Sequence, residues 1–202
     1  MTSTRHGHPS TLIRYPREIA AAVTLRAACA ALVAAPRGDG AAPDELDRRR
    51  AIVVATACGA LATRFAMIRF LAARGAPDPR RVAPFDPFHD PTPPALGGSG
   101  PAPDRARVRL AGDRCASAWR VWRADGAPPG DVAIGAAGAL ALGSWCAWAV
   151  GSSARAEVRA RHAIDTRPDD PFAWLVLRSV RAGCAPAWWG SPAGRTGSST
   201  VG

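Results

Sequence analysis

From Val132 to Ala154 the chain runs 23 residues without a charge. A helix with no polar face needs apolar surroundings on every side, so such a run lies either in the middle of a protein core or across a bilayer. Eight Ala, four Gly and three Ser leave this one weakly apolar, and Gly151-Ser152-Ser153 interrupts it. A buried helix that turns into a hairpin is therefore expected. Association with a membrane through 132–154 is the less favoured alternative.

The flanking residues punctuate the run as helices. Pro128-Pro129-Gly130 cannot continue a helix, and Asp131 stands where an N-cap should. Leu140, Trp145, Trp148 and Ala149 recur at helical spacing up to about Val150, and Gly151 suits the left-handed residue that ends a helix. Ser152 or Ser153 then caps a second helix, about 154–166, whose small apolar face is Ala156, Val158, Ala160, Ala163 and Ile164. Pro168 stops it. Asp169 or Asp170 caps a third helix with Pro171 at its first position, a stripe of Trp174, Leu175, Leu177 and Val180, and an end at Gly183 and Pro186.

Ala147-Trp148-Ala149-Val150-Gly151-Ser152-Ser153-Ala154-Arg155-Ala156, then Ala163-Ile164-Asp165, Pro168 and Gly183-Cys184-Ala185-Pro186, resembles the C-terminal helical part of an actinobacterial domain family of unknown function. That family has a Trp, Gly-Asp-Gly, an Ala-rich helix, Asp-Pro and a closing Gly-x-Pro. The residues that carry the likeness are Trp148, Gly151, Ala163, Pro168, Trp174, Gly183 and Pro186. Gly151-Ser152-Ser153 departs from Gly-Asp-Gly and lacks its acid. The resemblance implies no activity, substrate or cofactor. Ala156, Ala163, Pro168 and Trp174-x-x-Leu177 are also similar to the helix-hairpin spacing of tetratricopeptide repeats, but Arg178 and Arg181 stand where that pattern wants Gly and Tyr.

Earlier in the chain, residues 1–14 form a polar tail expected to be disordered, with His6 and His8 too few to hold a metal. Pro16 and Glu18 open an Ala-rich helix to about Ala35, with Ile19, Val23, Ala27, Ala30 and Leu32 on one side. Asp44 caps a long helical segment, about 45–74, in which Leu46, Val53, Ala57, Leu61, Phe65, Ile68 and Ala72 recur. Gly59 inside it marks a close helix contact or a break. Arg64 and Arg69 flank Phe65 to Ile68, where a structural role beside helix ends is the simpler reading. Residues 76–103 are so rich in Pro and Gly that they read as a flexible linker. Within it Phe85 and Phe88 either dock on a partner or fold back. Asp104 begins a further helix to about Asp125 with a stripe of Val108, Ala111, Cys115, Trp119 and Trp122, and residues 190–202 form a second disordered tail. The expected fold is all-α: about five to six helices in packed hairpins, one domain over 15–189.

The net charge of +10 comes from 26 basic residues, every one an Arg. Lys, Asn and Gln are all absent. Their codons are A-rich, so a high-GC genome explains the joint absence and part of the Arg excess. The excess is spread along the chain rather than gathered on one arm, as a nucleic-acid binder would have it. Trp119 and Trp122 among arginines offer stacking for single-stranded nucleic acid, yet their spacing equally fits burial. Five scattered cysteines without a CxxC pair read as reduced packing residues in the cytoplasm. No phosphate loop, paired carboxylates or nucleophile-His constellation is visible. No cofactor is expected. The favoured function is a non-catalytic protein-interaction module with Phe85, Phe88, Trp119 and Trp122 as candidate contact residues, and a basic nucleic-acid-associated protein is the alternative.

Overall fold

The computed structural model describes residues 14–35, 42 and 44–190, with the side chains of Arg14 and Tyr15 excepted. The two tails read as disordered lie outside the described residues, apart from Arg14 and Gly190. Among the described residues the fold is all-α, with seven α-helices rather than five or six. These are α1 Arg14–Val33, α2 Arg48–Ala57, α3 Leu61–Ala72, α4 Arg105–Ala124, α5 Asp131–Ala149, α6 Ser153–Thr166 and α7 Pro171–Arg181. Short 3₁₀ turns lie at Pro79–Arg81, Pro94–Gly97 and Ala187–Trp189.

The extra helix comes from the segment 45–74, which bends by 109° between α2 and α3. Gly59 sits at that break. Its amide is bonded to the Thr56 carbonyl, and the chain then re-enters a helix from Ala60, which offers no side-chain cap.

The uncharged run becomes α5, the central helix, against which α2, α4, α6 and α7 pack. Every residue from Gly135 to Ala149 is buried. Glycine makes this crowding possible. A Cβ on Gly135 would stand 2.5 Å from the Ala55 carbonyl oxygen, and one on Gly138 would strike the Cys58 carbonyl at still shorter range. On the opposite crossing, a Cβ on Gly112 of α4 would lie 2.7 Å from the Cys146 Cβ. Backbones in direct contact gain dispersion along the whole crossing, and no side chain can be added there without moving a helix.

The C-terminal punctuation is as expected at Gly151 and Gly183, both at positive φ (82° and 69°). Asp170 is the cap of α7: its Oδ1 accepts from the Phe172 and Ala173 amides at 3.0 Å. The expected faces are corrected in three places. In α7 the buried residues are Phe172, Ala173, Val176 and Leu177, while Trp174 is 42% exposed and Leu175 37%. The register turns because Asp170 is itself drawn into the core by Arg64. In α6 Val158 faces out, leaving Ala156, Ala160 and Ala163 against α5. In α1 the face named from the sequence is largely the outer one: Ile19, Val23, Ala27 and Ala30 are exposed, and Ala21, Leu25, Ala28, Cys29 and Leu32 are buried.

Residues 76–103, read as a flexible linker, instead wrap the helices in a fixed path. Proline forbids a regular ladder, so the backbone polar groups find partners one at a time. Phe85 donates its amide to the Ala62 carbonyl. The Ala95 carbonyl accepts from Trp145 Nε1 at 3.2 Å, and the Gly98 carbonyl accepts from the Ala187 amide at 2.8 Å. Gly98 has φ 75°, and a Cβ there would meet Pro186 and Trp148 within 2.8 Å. Trp148 donates to the Cys184 carbonyl, Trp188 donates to the Ala149 carbonyl, and the two indoles meet edge to face. The tryptophans thus fasten both the wrap and the C-terminal turn to α5.

Candidate functional site

The two phenylalanines of Pro84-Phe85-Asp86-Pro87-Phe88 take opposite roles. Phe85 folds back: it is 9% exposed and meets Phe65 of α3 edge to face at 5.4 Å. Phe65 in turn packs edge to face on Phe172 of α7. Phe88, three residues later, is 91% exposed.

The loop that carries Phe88 is held by its own side chains. The Asp86 carboxylate accepts from the Phe88 amide at 2.9 Å and meets His89 Nδ1 at 2.7 Å. The amides of His89 and Asp90 bond the Asp86 carbonyl. Asp90 closes the loop by accepting from the Asp86 amide at 2.9 Å and pairs with Arg69 of α3 at 3.0 Å. The Asp86 amide, and after it the Arg69 guanidinium, hold the Asp90 carboxyl below the usual carboxylate range. Asp at the start of a turn supplies such bonds readily, so Asp86-Pro87-Phe88-His89-Asp90 carried a local signal. Arg69, remote in sequence, gave none.

Beside this loop a groove of about 410 Å³ runs along α3, floored by Ala66 and Phe70, walled by Val82 and Pro84, and bordered by Arg69 and Arg81. Arg80 and Arg81 are exposed on the 3₁₀ turn at the groove's edge. Asp90, in the loop that carries Phe88, also lines this groove.

Trp119 and Trp122 are placed differently from an open stacking platform. Both are half-buried, with their N–H groups donated to Thr166 Oγ1 and the Pro128 carbonyl. Trp119 is flanked by His162 at 5.4 Å, by the Arg123 guanidinium at 5.3 Å and by Trp122 at 6.4 Å. The neighbours a nucleobase would displace come from the protein itself.

The arginines also have internal work. Arg107 donates to the carbonyls of Leu71, Ala73 and Gly75 at the end of α3, and Arg114 to those of Ala31 and Ala34 at the end of α1. Seven residues apart on α4, they close two helix C-termini that lack glycine caps of their own. Arg64 is 2% exposed and donates to both oxygens of Asp170 at 2.9 Å, beneath the Phe172 ring. That pair ties α3 to the first turn of α7 and has no opening for a ligand, in line with the structural reading of Arg64.

All five cysteines are free thiols. Burial pushes Cys29, Cys58 and Cys146 up to about 12, so these are un-ionised packing groups at neutral pH. Among the described residues no three His, Cys, Asp or Glu side chains converge as metal ligands. Of the residues carrying the family likeness, Trp148, Gly151, Pro186 and Ala163 sit where α5, α6 and the wrap join, with Trp148, Pro186 and Ala163 buried. Gly183 and Pro168 end helices. Trp174 lies on the surface, donating to the Pro168 carbonyl at 2.7 Å. None of the seven belongs to the Phe88 surface. Comparison with family models, with curated proteins and with solved structures found no match for this chain.

Proposed function

We propose that the chain is a non-catalytic protein-interaction module of the cytoplasm, and that the Phe88 surface is where it holds its partner. One observation carries the reading: a large aromatic, 91% exposed, stands on a loop whose backbone is already fixed. A solvent-facing phenylalanine is unfavourable in isolation. A rigid aromatic anchor loses little entropy when it enters a pocket, which is how a few residues dominate binding. Arg69 and Arg81 at the neighbouring groove fit a partner whose apolar surface is rimmed by carboxylates. The buried, unpaired thiols suit a reducing compartment.

The likeness to the actinobacterial family of unknown function, carried by the Trp148 to Pro186 pattern, belongs to this proposal as a scaffold and brings no activity of its own. Membrane association through 132–154 is disfavoured because 83% of the most apolar window of α5 is buried by other helices. Binding to nucleic acid is disfavoured because Trp119 is stacked internally and Arg64, Arg107 and Arg114 are bonded internally.

Capture from the native cell with the full chain and with Phe88→Ala tests the reading. A specific protein retained by the first and lost with the second, at unchanged circular dichroism, is expected. Equal recovery of every captured protein by both overturns the assignment of Phe88. Retention of the chain on DNA above about 0.3 M salt overturns the discount of its charge.

A further inference from the structure

Between α4 and α6, at the C-terminal end of α5, lies a pocket of about 150 Å³. Ala147 and Val150 are its apolar lining. The rest of the lining is Asp113, Ser152 and three arginines, Arg109, Arg155 and Arg159.

Three guanidiniums therefore share a small pocket with one carboxylate. Arg159 is held in place: its side chain is 12% exposed, Nη2 lies 2.5 Å from Asp113 Oδ1, and Nη1 donates to the Gly143 carbonyl at 3.1 Å. Arg155, one turn earlier on α6, reaches the same Oδ1 at 3.4 Å. Arg109, one turn before Asp113 on α4, is exposed and makes no hydrogen bond or ion pair among the described residues. Glu157, which follows Arg155 by two residues, is turned to Arg161 and Arg181 and does not line the pocket. Like charges gathered in a partly enclosed space repel unless an anion joins them.

The end of α5 does not account for this gathering. The carbonyls of Cys146, Ala147 and Trp148 accept from the amides of Val150, Ser152 and Gly151, that of Ala149 from Trp188, and that of Val150 from Arg105. Arg109 and Arg155 thus have no helix end to close, unlike Arg107 and Arg114. On the other side of the pocket, Ser152 precedes α6 without forming a side-chain cap, so its hydroxyl and the first amides of that helix keep their donors for an acceptor outside it.

We propose that this pocket binds a tetrahedral oxyanion, either inorganic phosphate or the phosphoryl group of a small phosphomonoester. Arg159 is the fixed cation, and Arg155 and Arg109 close on the anion from α6 and α4. Two guanidinium charges left over by Asp113 match a dianion, and tetrahedral oxygens accept from donors that arrive in different directions. The volume admits one such group and is below the roughly 300 Å³ at which sites for larger ligands begin. None of these residues belongs to the Phe88 loop or its groove, and the site does not depend on their function.

Sodium phosphate, titrated into the full chain against sodium chloride at constant ionic strength and followed by amide NMR, is the test. Saturable shifts at Ser152, Ser153 and Ala154 are expected with phosphate and none with chloride. Arg109→Ala and Arg155→Ala, which alter exposed side chains, are each expected to weaken phosphate about ten-fold at unchanged circular dichroism. Arg120→Ala, which removes an exposed arginine of α4 outside the pocket, is expected to leave the affinity as it was. Glycerol 3-phosphate separates the two sources: affinity equal to or above that of phosphate assigns the pocket to a phosphoryl group on a small molecule, and affinity about ten-fold lower assigns it to the free ion. Shifts that do not saturate, shifts reproduced by chloride, binding unaffected by both pocket variants, or equal weakening by Arg120→Ala overturn the site.

Discussion

α5 and the proline-rich wrap of residues 76–103 lie against the same core and keep their shapes by opposite means. α5 satisfies its backbone within itself, so its glycines are free to bring neighbouring backbones into contact at Ala55, Cys58 and Gly112. The wrap has no internal ladder. It is fixed by single bonds to what it touches: Ala62, Trp145 and Ala187. A helix can be read from its own residues because its bonds are local. A wrap is ordered only if a core already exists to receive it.

The largest loss is expected at the buried Arg64–Asp170 pair. Asp170→Ala leaves Arg64 buried without its carboxylate and removes the cap of α7, and a loss of about 3–5 kcal/mol in urea unfolding is expected. A loss below about 1 kcal/mol would mean that water reaches Arg64 and that the pair does not join α3 tightly to α7.

Gly138→Ala isolates α5. The added methyl meets backbone rather than a movable side chain, so about 1–3 kcal/mol is expected, together with shifted amide resonances in α2 around Cys58. An unchanged melting temperature would mean that the crossing is looser than the glycines indicate.

Phe85→Ala isolates the wrap. It removes the ring from Phe65 and lowers stability by about 2 kcal/mol. Its sharper sign is local: trypsin cleavage after Arg80 and Arg81 accelerates while the fragments on either side remain associated. Separation of the fragments into two soluble pieces would show two domains and refute a single core.

The smallest effect sharpens the same contrast at the loop tip. The folded state lowers the Asp90 carboxyl below its ordinary value of 3.8, so its contribution is fully present above that value and is lost as the pH falls through the lowered one. Exchange protection of the Asp86 amide should therefore hold from neutral pH to about 4 and fall away below it. With Arg69→Ala the loss should begin at higher pH. An identical profile would mean that Arg69 does not restrain the loop.

Periodicity, glycine and proline made the helical course legible, and aspartate did so in part: Asp104 and Asp170 cap α4 and α7, whereas Asp47 rather than Asp44 caps α2 and α5 starts at Asp131 itself, after Gly130. The ends at Gly151 and Gly183 follow from residue type, whereas the choice of a break over a close contact at Gly59, and of Asp170 over Asp169 as cap, was left open by the sequence. Side-chain faces were less legible where Ala dominates. In α1, Ile19 and Val23 look like core residues by hydrophobicity, but the face that packs is the one carrying Leu25 and Leu32 together with the small Ala21, Ala28 and Cys29. The candidate site was half legible. Phe85 and Phe88 stood out as aromatics among prolines, but nothing in the sequence near them showed that one would turn inward on Phe65 and the other remain outside.

Residue types alone specify an all-α chain with a helix that must be enclosed, because a run without charge admits no solvent face and helix signals act over a few residues. Packing between distant elements is what makes residues 77–103 a wrap and turns Arg64, Arg107 and Arg114 toward carbonyls and a carboxylate inside the protein. Those outcomes depend on partners far away in sequence, and a single chain of residue types does not encode the distance between them in any form that local reading can recover.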